Sequence, residues 1–180
     1  MMRSKRCTWG WTIGLGVTVA ALLWLVDPAG AIPLESWDDK IPRADTRFKV
    51  LTEFGGAAVL DKETQLVWER YPSVAFNTWF EARPACLNLT VGRRKGWRLP
   101  TIAELASLVD PSVPFPGPTL PPGHPFNFEL GAYWSASTDA SSPADAWLVA
   151  FDGGSVAPNP KAVLNHVWCV RGGLNQGSEY

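Results

Sequence analysis

The chain has 180 residues, 46% of them apolar and 18% charged, with a formal net charge of −1 at pH 7. That apolar content excludes an intrinsically disordered chain, and the charged fraction is too low for a long coiled coil. With no net positive charge there is no global field to recruit nucleic acid, so neither DNA nor RNA is an expected partner.

Residues 1–31 read as an export signal. Arg3, Lys5 and Arg6 form a basic start, and the stretch from Trp9 to Val26 is apolar apart from Thr12 and Thr18. Asp27-Pro28 then breaks the run, and Ala29-Gly30-Ala31 puts small residues where a signal peptidase needs them. A retained anchor is the alternative, because about 18 apolar residues can cross a bilayer. Either outcome delivers the rest of the chain to the periplasm or beyond, with no further membrane contact expected. Of the three cysteines, Cys86 and Cys169 travel with the exported part. In an oxidising compartment such a pair is expected to join, which a loop of this length makes worth about 4–5 kcal/mol in the chain-entropy model. Two buried free thiols are the other reading.

Residues 32–46 mix prolines and charges without a period and read as a linker or irregular arm. The regular pattern starts at Arg47. Two short apolar runs, Ala57–Leu60 and Gln65–Arg70, flank the polar turn Asp61-Lys62-Glu63-Thr64 and predict a β-hairpin. Two helices follow, each opened by a capping box. In Thr78-Trp79-Phe80-Glu81 and Thr101-Ile102-Ala103-Glu104, the hydroxyl is placed to accept from a backbone N–H and the carboxylate to reach back. Trp79, Ala82, Cys86 and Leu89 share one face of the first helix, with a bend expected at Pro84. Ile102, Leu105, Ala106 and Val109 form the stripe of the second, which Asp110-Pro111 ends. Residues 111–131 carry prolines and glycines with no periodicity, the pattern of either a binding loop or a passive connection. Ala132–Ser137, Ala146–Phe151 and Ser155–Ala157 predict strands, with the turn Asp152-Gly153-Gly154 joining the last two. Asn165–Arg171 predicts a final strand, and residues 174–180 a frayed tail. Strands, two helices and further strands make an α+β domain.

Four segments resemble the Lcl C-terminal domain family, found at the end of a bacterial collagen-like adhesin. They are Val59–Trp68; Thr78-Trp79 through Cys86; Trp97-Arg98-Leu99-Pro100-Thr101 with Glu104-Leu105; and Tyr133-Trp134-Ser135 through Trp168–Gly173. The third is the most specific, and together they set the domain at residues 47–173. The resemblance implies a C-type lectin-like fold: two helices, a small mixed or antiparallel sheet, and long loops. It also implies kinship with sulfatase-activating oxidases, and a disulfide from Cys86 to Cys169 that ties the first helix to the last strand. Two features depart from the family pattern: Pro84 inside a helix, and the unusually basic turn Gly92-Arg93-Arg94-Lys95-Gly96.

No G-x-S-x-G, P-loop, H-E-x-x-H or C-x-x-C is present. His166, beside Trp168, reads as structural, and His124 has no ligand cluster around it. Asn127 and Glu129 follow Pro125, but two oxygen donors fall short of the six to eight that calcium takes. Cysteines joined to each other cannot serve an oxidase. The expectation is therefore a non-enzyme with no cofactor and no metal. Arg93, Arg94 and Lys95 are the concentrated charge and the candidate ligand-binding residues. They can hold an acidic glycan through guanidinium forks, or simply be solvated. Trp97 is expected in the core, and Arg98 is expected to pair with Glu104 or the helix start, with Pro100 and Thr101 completing that motif. The expected function is an exported binding module for acidic glycans or other surface polymers. The alternative is a structural or protein-interaction domain of the bacterial envelope.

Overall fold

A computed structural model describes residues 43–172 of the chain. The expected signal segment, nearly all of the expected arm and the C-terminal tail lie outside the described residues. The first element, the helical turn α1 (Ala44–Arg47), begins within the stretch read as an arm. It belongs to the domain because Ala44 is buried and because Arg47 places its guanidinium in the interior. There Arg47 donates through Nε and Nη2 to both carboxylate oxygens of Asp61, at 2.9 and 2.7 Å, and to the carbonyl of Ser107. Asp61 also accepts from the Glu63 N–H and the Thr64 hydroxyl, so this buried pair is fully hydrogen-bonded.

One antiparallel sheet has the order β1-β2-β3-β7, from β1 (Phe48–Leu51), β2 (Ala58–Asp61), β3 (Leu66–Glu69) and β7 (Val170–Arg171). The expected hairpin is β2–β3, with Asp61 opposite Leu66. Two helices follow, α2 (Trp79–Asn88) and α3 (Ile102–Ala106). A second antiparallel sheet has the order β4-β5-β6, from β4 (Ala132–Thr138), β5 (Asp145–Ala150) and β6 (Ser155–Pro160). The α+β class stands, as two small sheets rather than one.

Trp79, Ala82 and Cys86 bury one face of α2, as the spacing predicts. The helix continues through Pro84, which lies on the exposed side, where the Phe80 carbonyl it leaves unbonded can take water. At the start of α2 the Glu81 carboxylate accepts from both the N–H and the hydroxyl of Thr78. At α3 the reciprocal box forms: the Thr101 hydroxyl accepts from the Glu104 N–H, and the Glu104 carboxylate accepts from the Thr101 N–H. α3 is shorter than its stripe suggested, and Leu108, one turn past Leu105, is fully buried just beyond it.

The final strand is shorter than expected, because only Val170–Arg171 joins a sheet. The residues before it keep a strand-like alternation: Val167 and Cys169 face one core, Trp168 and Val170 the other. Their backbone groups bond to scattered partners instead of a single neighbouring strand. Asn165 pairs with Asn77, His166 with Ala132 and Trp134, Cys169 with Glu69, and Val170 with Arg98. The segment thus passes between two cores, and no backbone group named here is left unpaired. One core gathers Val59, Trp68, Leu105, Tyr133, Phe151 and Trp168, and the other Phe54, Trp79, Trp97, Trp134, Leu148 and the half-cystines. The Pro-rich loop contributes to the first: Phe126 and Phe128 each pack on Trp168 with ring centres 5.0 Å apart.

Candidate functional site

The basic turn is a two-residue connection between Val91 and Arg94, whose backbone N–H and C=O groups bond to each other at 2.9 and 3.1 Å. Its central residues, Gly92 and Arg93, both have positive φ. Glycine is required at position 92: a Cβ there would lie 2.4 Å from Phe54 Cα. The turn therefore sits directly on the 3-10 turn Thr52–Phe54.

Arg93, Arg94 and Lys95 are all exposed, and none of them forms an ion pair with a described residue. The polar backbone of the turn faces the other way. Arg94's carbonyl accepts from Trp97 Nε1 at 3.0 Å, and Lys95's carbonyl accepts from Arg171 Nε at 2.9 Å. Two backbone carbonyls of the turn are thus taken up by Trp97 and Arg171, and the side-chain cations are presented to solvent. The Arg94 guanidinium lies over the Phe54 ring, 4.5 Å from its centre, with Arg171 5.9 Å from the same centre. Sequence reasoning missed Arg171 and Phe54. Neither is near the turn in the chain, and only the closing of the first sheet brings them to it.

The W-R-L-P-T motif beside the turn is consumed by the fold. Trp97 is buried and meets Phe54 edge-to-face with centres 6.2 Å apart. Arg98 donates through both terminal nitrogens to the Glu104 carboxylate, at 2.6 and 2.8 Å, and also to the Leu99 and Gly172 carbonyls. Burial alone would raise the Glu104 carboxyl. The hydrogen bonds from Arg98 and Thr101, with the Arg98 charge, outweigh it and hold the group below its ordinary value. Pro100 is buried, and its carbonyl accepts from the Ala136 N–H. Cys86 and Cys169 form a disulfide with Cα atoms 5.5 Å apart and a sequence separation of 83. It joins α2 to the segment that leads into β7, and both half-cystines are buried.

The histidines lie elsewhere. His166 is buried and stacks on Tyr133 and Phe76. His124 borders a cavity of about 210 Å3 lined also by Phe126, Asn127, Phe128 and Leu130. Burial lowers the pKa of both imidazoles and so favours their neutral forms. Among the described residues, no group of three or more His, Cys, Asp or Glu side chains could hold a metal ion. No helix of the described residues is long and apolar enough to cross a membrane. On the outward side of α2, among the exposed Glu81, Arg83 and Asn88, Phe80 and Leu87 are 64% and 63% exposed.

In comparison with known proteins, the family model described as Lcl C-terminal domain matches residues 57–171. No curated protein matches the chain.

Proposed function

The chain belongs to the Lcl C-terminal domain family, and on that premise we propose that it is an exported, non-catalytic binding module of C-type lectin-like fold that recognises acidic glycans or similar surface polymers through its basic turn. The observation that carries this reading is a set of cations, Arg93, Arg94 and Lys95, held outward on a rigid turn with no carboxylate pairing them among the described residues. A group of unpaired guanidinium and ammonium donors suits oxyanions spaced along a polymer. The disulfide supports a life in an oxidising compartment, and it leaves neither Cys86 nor Cys169 free for redox chemistry. Retention on a heparin column tests the proposal. The protein is expected to bind at low salt and to elute earlier when Arg93, Arg94 and Lys95 are all changed to Ala. Retention that is absent, or unaltered in the triple variant, would reject the turn as the site.

A second reading, a protein-interaction domain of the envelope, draws on the exposed Phe80 and Leu87 of α2. Under it, Phe80→Ser with Leu87→Ser abolishes capture of a protein partner from the envelope fraction and leaves polyanion retention intact. Capture that survives both changes counts against it.

A further inference from the structure

We infer that the binding surface extends to Arg171, and that Arg94 and Arg171, both held against the buried Phe54 ring, form a two-guanidinium clamp that takes adjacent oxyanions of one polymer segment. This inference rests on the anion-binding reading of the turn.

Phe54 is 3% exposed and fixed edge-to-face against Trp97, so its ring is an immobile platform. Two guanidiniums lie against that one ring, at 4.5 and 5.9 Å. Neither is neutralised: no ion pair to Arg94 or Arg171 exists among the described residues. Both are instead positioned by uncharged groups. Arg94 is held by the ring face and by its carbonyl's bond to Trp97, and Arg171 by the bond from its Nε to the Lys95 carbonyl. Two cations are drawn to one ring, and an oxyanion bound at either lowers the electrostatic cost of holding the other there. Among the described residues, Arg171 has spent its Nε–H but keeps the N–H groups of its two terminal nitrogens, and Arg94 keeps its whole fork.

Arg93 and Lys95 differ in kind. Among the described residues, no side-chain hydrogen bond, ring contact or ion pair fixes either of them. They add charge without geometry, so Lys and Arg are interchangeable there. At positions 94 and 171 they are not, because an ammonium offers no planar fork. The ligand class that follows is a polymer with neighbouring oxyanions.

The test is titration of the purified protein with a heparin oligosaccharide, comparing wild type with Arg94→Lys, Arg171→Lys, the double variant and Lys49→Arg. Each substitution conserves charge. Arg94→Lys and Arg171→Lys should each weaken binding about tenfold, the scale of one lost charge-assisted hydrogen bond. The double variant should lose less than the product of the two, and Lys49→Arg, on the exposed side of β1, should bind like wild type. In wild type, the Arg171 Nε–H resonance should shift on titration, a readout that needs no variant to fold. Wild-type binding with an unmoved Arg171 resonance, unchanged affinity in Arg171→Lys, or losses that simply multiply would overturn the clamp alone. No binding by wild type would remove the anion-binding reading and the clamp together.

Discussion

Glu69 ends β3 with its carboxyl buried and with no ion pair among the described residues. Burial pushes its pKa up from 4.5 to about 7, although the Cys169 N–H, donating at 2.8 Å, favours the charged form. A raised carboxyl pKa means that the fold prefers the protonated acid. This contribution to stability is full below the ordinary value and is lost as pH rises through about 7. The size of the shift puts it on the order of 3 kcal/mol. Thermal midpoints between about pH 5 and about pH 8 should therefore fall as pH rises, and Glu69→Gln should flatten that slope; an equal slope in the variant would assign the effect to other groups. Gly92 makes a second residue-level case. Its positive φ and contact with the Phe54 backbone leave no room for a side chain. Gly92→Ala should cost upwards of about 1 kcal/mol. It should also weaken polyanion retention by displacing the turn, and a melting curve with an affinity column reads both.

At the scale of elements, the disulfide ties together parts of the chain that no strand ladder joins, while the buried Arg47–Asp61 pair closes the end of the β1–β2 ladder. The disulfide fastens α2 to the segment before β7. Changing both half-cystines to Ala should lower stability by about 4 kcal/mol in denaturant titration, as the loop length predicts. Asp61→Ala removes the bidentate partner of the buried Arg47 guanidinium and leaves it Glu63 and the Ser107 carbonyl, and a loss of about 3 kcal/mol is expected by the same measurement. The elements visible in the sequence were those set by local signals. The β2–β3 hairpin announced itself by a polar turn between apolar runs, and both helices by Thr and Glu three residues apart. The Pro-rich loop was opaque, because Leu120, Phe126 and Phe128 enter the core without any period to mark them. The final strand was overextended, since an alternating pattern marks two-sided burial and does not say whether one neighbouring strand or several scattered groups take up the hydrogen bonds.

At the scale of the molecule, two aromatic-rich cores bridge the two small sheets, and the basic turn stands over one of them on Phe54 and Trp97. The turn itself was legible because its charges are consecutive. Its partner Arg171 was not, because only the pairing of β3 with β7 and the Arg98–Val170 bridge carry it there. Backbone amide shifts recorded during titration with a heparin oligosaccharide test the central claim most directly. Shifts concentrated at residues 91–97 and at Arg171, with α2 and the cavity around His124 silent, are the predicted result. Shifts centred on Phe80 and Leu87 or on residues 124–130, or no shifts at all, would contradict it.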